Sequence, residues 1–212
     1  MVNEETDYDP EPRWPAFIAI ISVGGIYISL PESLLTGPRW VLPVLIAVLT
    51  IPAMVTHRKK LHHLNAILGF IISSVLTLSL VASLWLLVRA LPAHKETPLA
   101  MLVSAASLWI TNILVFALWY WRLDAGGPHH REKKKTHVEG AFLFPQMTIG
   151  DDKGRWSPNF VDYLFLAFNT STAFSPTDAP VMYRWAKILM MLQSLISLMI
   201  IVLLAARAVN IL

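Results

Sequence analysis

The sequence predicts an all-α fold, a polytopic membrane helix bundle, and three observations carry that prediction. Hydrophobic residues make up 55% of the 212 positions against 15% charged, too apolar for an ordinary soluble domain of this length. The apolar residues are gathered into blocks, with nearly every Lys, Arg, Asp and Glu in the short stretches between them. Block ends carry boundary chemistry, most clearly Trp119-Tyr120-Trp121-Arg122, an aromatic belt followed by a cation.

Taken in order, Met1 to Arg13 is acidic and Pro-containing, unlike the positively charged start of a cleaved signal peptide, and reads as a disordered tail. Residues 14–212 read as a single transmembrane domain. The first span, about 14–30, is broken by Pro31 and Gly37-Pro38. The second, about 40–56, contains Pro43 and Pro52 and ends at His57-Arg58-Lys59-Lys60. The third, about 64–91, exceeds the roughly 20 residues a bilayer requires and is expected to tilt or project. The fourth, about 99–121, has Asn112 at its middle. A polar loop follows over 123–158, then a short segment at 160–174, polar towards its end, and a final long helix over 183–212. Five long transmembrane helices plus one short span or re-entrant pore-type helix are therefore expected.

Composition also excludes functions. With no cysteine there is no disulfide, thiolate catalysis or cysteine-ligated metal. The net charge of +3 is small, and the basic residues lack the aromatic interleaving of a nucleic-acid surface, so the lipid bilayer is the expected partner. No Ser/His/Asp arrangement, Walker loop, HExxH or paired intramembrane carboxylates is present, so neither an enzyme nor a cofactor is expected. His57, His62 and His63 flank one basic turn, and His129, His130 and His137 lie in the basic loop. Such clusters beside a membrane face are usually solvated or touch anionic headgroups, and no metal site is assigned.

The segment from Val161 to Asp178 carries the sharpest signal. Leu164-Phe165-Leu166-Ala167-Phe168 leads into Thr170 and Thr172, then into Ala173-Phe174-Ser175-Pro176-Thr177-Asp178, with Arg184 before the last helix. This pattern resembles, without gaps, the pore loop and inner helix of the tetrameric potassium-channel superfamily. There a short apolar pore helix precedes two threonines, a Thr-Val-Gly-Tyr-Gly-Asp filter and a basic residue. Both filter glycines are missing here and Pro176 fixes its own φ, so the resemblance implies a degenerate filter without conventional potassium selectivity. A lining built from it would use the hydroxyls of Thr170, Thr172, Ser175 and Thr177, with a ring of Asp178 favouring monovalent cations. Gln193 and Ser197, on one face of the last helix, either join that lining or make interhelical hydrogen bonds.

The stretches Trp121-Arg122-Leu123-Asp124-Ala125-Gly126-Gly127-Pro128 and Thr172 to Asp178 are also similar to those of a family of bacterial multi-spanning membrane proteins of unassigned activity. The similarity covers roughly the C-terminal half and implies an inner (plasma) membrane address.

The positive-inside rule tests orientation. A potassium-channel arrangement places 13 of the 17 Lys and Arg outside. A cytoplasmic N-terminus with 160–174 crossing fully places 12 of 17 inside, and a re-entrant segment inserted from the cytoplasmic side places 13 of 17 inside. A cytoplasmic N-terminus and a cytoplasmic 123–158 loop are therefore expected. The sequence thus leads to two functional expectations: a channel-like or transport homo-oligomer, tetrameric if channel-like, or a non-conducting structural or accessory membrane protein.

Overall fold

The computed structural model describes residues 11–90, 97–134, 140–148, 156–175 and 178–209. Helices α1 (Trp14–Ser29), α2 (Val41–Arg58), α3 (His62–Ala90), α4 (Pro98–Leu123), α5 (Pro128–Lys134), α6 (Phe160–Thr172) and α7 (Arg184–Val209) follow in order, with single 3₁₀ turns at 32–34, 124–126 and 145–147. Local chemistry sets several of the ends. Pro43 falls in the first turn of α2, where its missing N–H has no helical partner to lose. Thr97 caps α4 by accepting from Ala100 N at 3.2 Å. A capping box starts α6: Val161 N donates to Asn159 Oδ1, and Asn159 N donates to Asp162 Oδ2, each at 2.8 Å.

Four helices are long and apolar enough to cross a membrane: α2, α3, α4 with the turn that follows it, and α7. The expected count of five long spans is not reached by length, since α1, though apolar, has 16 residues, with Leu30 already extended before Pro31. At 1.5 Å per residue it measures about 24 Å. The 123–158 stretch is also more than a loop, since it contains α5 and two 3₁₀ turns. Nor do residues 11–13 belong to a free tail, because Glu11 and Arg13 are bonded into the bundle. Residues 1–10 lie outside the described residues.

Helix α4 is the hub, packing against α1, α3, α6 and α7 and burying Val115, Ala117, Leu118 and Tyr120 completely. The outward faces are apolar, with Val44, Val48 and Ile51 exposed on α2 and Ile188, Met191, Leu195 and Val202 exposed on α7. A soluble protein would bury such stripes; lipid is their natural neighbour.

The start of α1, the α2–α3 turn, the end of α4 and the starts of both α6 and α7 gather at one end of the bundle. Arg13 reaches His57 at 2.9 Å, Glu11 pairs with Arg131 at 3.0 Å, and Tyr163 Oη donates to Asp124 at 2.6 Å. The Phe142 ring packs on both Tyr163 and Trp185, at 6.3 and 6.2 Å between centroids. Around it Met182 N donates to Ala141 O at 2.8 Å, and Leu143 N to Pro180 O at 3.0 Å. Two consecutive helices that start at the same end must be separated by a chain that returns. Helix α6 therefore runs parallel to α7, against α4, and stops part-way.

Its stopping point is fixed by Ser171, which meets Asn112 and Gln193. Asn112 lies 11 residues before the end of α4, about 17 Å down its axis and roughly half a hydrocarbon core. The short segment therefore does not run the length of the bundle: it starts and stops on the same side of the Asn112 level, and the next helix begins again at the basic end. Among the described residues, Arg13, Arg58, Lys59, Lys60, Arg122, Arg131, Lys133, Lys134, Arg184 and Lys187 fall in or beside elements at this end, against Arg39, Arg89 and Arg207 in or beside elements at the other.

Candidate functional site

The candidate site is formed by α6, the described residues that follow it (173–175 and 178–183) and the first half of α7. One face of α6 (Phe160, Tyr163, Leu166, Ala167, Thr170, Ser171) is buried, while Val161, Phe165 and Phe168 point outwards. The return starts at Phe174, whose φ of 53° ends the helix in a left-handed conformation costly for an aromatic residue.

A neutral polar network holds this site to α4. Gln193 Nε2 donates to Ala167 O at 2.7 Å and to Ser171 Oγ at 2.8 Å, while its Oε1 accepts from Tyr120 Oη at 2.5 Å. Asn112 Nδ2 donates to Ser197 Oγ at 2.8 Å and to Gln193 O at 3.3 Å. Asn112, Ser171, Gln193 and Ser197 are all fully buried. A Gln with both ends engaged fixes the depth of α6 against two helices at once, which apolar ridges alone do less strictly.

An ionic anchor holds the other end. The Arg131 guanidinium donates to Trp121 O at 2.8 Å, to Asp124 O at 2.9 Å and to both Glu11 oxygens, and it lies 5.1 Å over the Tyr163 ring. Trp121 Nε1 donates to Glu11, and Ala141 N and Tyr163 Oη donate to the Asp124 carboxylate. Burial pushes the Glu11 carboxyl above its ordinary value, and Arg131, Trp121 and Arg13 pull it back. The turn that delivers Arg131 explains the Ala125-Gly126-Gly127 sequence: φ is 50°, 80° and 90° in succession, and a Cβ on Gly127 would stand 2.8 Å from Arg122 O.

The sequence-derived candidates separate into two groups. Thr170, Gln193 and Ser197 are buried, with the Thr170 hydroxyl bonded to Leu166 O at 2.8 Å. Thr172 and Asp178 are exposed and Ser175 is half-buried, all three at or beyond the end of α6. Thr177 lies outside the described residues. One candidate from each group, Thr170 and Ser175, lines a groove of about 620 Å³ between the end of α6 and α7, with Phe174, Val181, Lys187 and Ser194. Among the described residues no group of three His, Asp or Glu is arranged to hold a metal ion.

Sequence reasoning missed the ionic anchor. By sequence Glu11 falls in the acidic N-terminal segment and Arg131 in the polar 123–158 stretch, and their separation of 120 residues gives no local pattern. No family model, curated protein or solved structure matches the chain.

Proposed function

We propose that this chain is a channel-like membrane protein in which several copies bring residues 172–178 to a shared polar path that favours monovalent cations. The supporting observation is the course of α6, which starts at the basic end, stops part-way along α4 at Ser171 and is followed by a helix that starts at the same end; in this reading it is a re-entrant segment. Non-helical backbone at mid-membrane depth is tolerated only when buried in protein or lining a water-filled cavity, because its N–H and C=O groups find no partners in hydrocarbon. Within one copy, Thr172, Phe174 and Asp178 are exposed, so the segment calls for a neighbouring copy, water, or both. Hydroxyls at Thr172 and Ser175 and the Asp178 carboxylate are suited to a hydrated cation. Lys187 lines the groove and opposes it, which sets a natural test.

The basic end of the bundle faces the cytoplasm in this reading, and the membrane is the bacterial inner membrane. A second reading, a non-conducting scaffold, is favoured by the neutral network, which turns Gln193 and Ser197 inwards as helix glue. Cation flux into liposomes separates the two. A pore gives flux that falls at least tenfold in Asp178→Ala and rises in Lys187→Gln. A folded oligomer that passes no cation leaves the scaffold reading.

A further inference from the structure

The basic end of the bundle encloses a second cavity, of about 290 Å³, between the start of α1, the α2–α3 turn and the turn after α4. Its lining includes Arg13, His57, His62, Arg122, His129 and His130, and no Asp or Glu among the described residues contributes to it. The two histidine groups that the sequence separates by more than sixty positions thus meet, with the rings of His62 and His129 stacked 3.3 Å apart. Arg122 points its guanidinium inwards. The group sits 5.6 Å from the Trp121 ring and fills the space above Gly69, where any added Cβ would overlap it. Its Nε is buried and has no hydrogen-bond partner.

The neighbouring Arg131 is a useful contrast. It is buried too, yet Glu11 and two carbonyl oxygens meet it. A planar guanidinium held in a pocket of cations and imidazoles, with no carboxylate supplied by the described protein, has the donor set for a phosphate oxygen pair.

We propose that this cavity binds a phosphate-bearing anion, with Arg122 as its inner ligand and Arg13 and the imidazoles nearer the mouth. A lipid headgroup phosphate and free phosphate carry the same chemistry, and the cavity lies at the end of the bundle where headgroups sit. The assignment is independent of whether α6 and α7 conduct.

The test is thermal unfolding of the full chain in a non-ionic detergent with inorganic phosphate, dihexanoyl phosphatidate or dihexanoyl phosphatidylcholine, each against sodium chloride at equal ionic strength. Stabilisation by phosphate and phosphatidate alike identifies a free-anion site, and stabilisation by phosphatidate alone identifies a lipid site. In Arg122→Gln the apparent affinity is expected to fall at least tenfold, and in Arg13→Gln less. Phosphorus NMR line broadening of the same probes by the unmodified protein gives a readout that needs no variant to fold. No shift and no broadening beyond the chloride control, or unchanged affinity in a folded Arg122→Gln, overturns the proposal.

Discussion

Two polar clusters tie α6 to α4, and they are built from different chemistry at different depths. At mid-bundle the groups are neutral: Asn112, Tyr120, Ser171, Gln193 and Ser197. At the basic end they are ionic: Glu11, Asp124 and Arg131, with Tyr163 as their neutral partner. The difference follows the local solvent. An amide pair survives in hydrocarbon because its desolvation is small, whereas an Arg–carboxylate pair is kept near the polar boundary, where its desolvation cost is lower. The two clusters also differ in what they fix. The neutral one sets how deep α6 goes; the ionic one ties the N-terminal segment, the turn after α4 and the start of α6 together.

This comparison can be broken from either side. The largest effect is expected for Arg131→Met, which leaves Glu11 and Asp124 buried without their cation: a loss of about 3–5 kcal/mol, read by unfolding in mixed micelles. A loss under 1 kcal/mol would mean that the anchor is solvated. Gln193→Leu should cost about 1–3 kcal/mol, because Tyr120 Oη, Ala167 O and Ser171 Oγ each lose a partner. Its sharper readout is depth, since a cysteine label at residue 172 should become more accessible as α6 loses its stop. A double-mutant cycle between Asn112→Ala and Ser197→Ala should return a coupling of about 0.6 kcal/mol, typical of hydrogen bonds between helices in a bilayer.

The smallest effect concerns pH. The Glu11 carboxyl titrates above its unfolded value, so its contribution is complete below the unfolded pKa and is lost as pH rises through the folded one. Relative to Glu11→Gln, the protein is therefore expected to become more stable, not less, as pH is lowered from 7 to 5. A relative loss over that range would show that Arg131 holds the carboxylate ionised and outweighs burial.

The legible part of the fold was the part written locally. Apolar blocks bounded by Pro31, by His57 to Lys60 and by Trp119 to Arg122 locate α1 to α4 within two residues or so at most ends. The Asn159/Asp162 capping box was an available signal for the abrupt start of α6, and its 13 residues match a helix too short to cross. What could not be read was pairing at a distance. Whether Gln193 faces a lumen or Ala167 depends on how α7 is rotated against α6, and small polar residues fit either role. Nothing local to Asp124 marks its role, because its partners, Ala141 and Tyr163, follow much later in the chain.

The stitch between residues 141–143 and 180–182 bears on biogenesis. A 13-residue helix is too short to be retained on its own as a span when it leaves the insertion machinery. Residues 141–143 cannot be paired until residue 182, just before α7, has been synthesised, so the segment that encloses α6 closes only as α7 begins. Truncation of the nascent chain before residues 180–182 should therefore leave α6 accessible at the membrane surface, and extension past α7 should bury it.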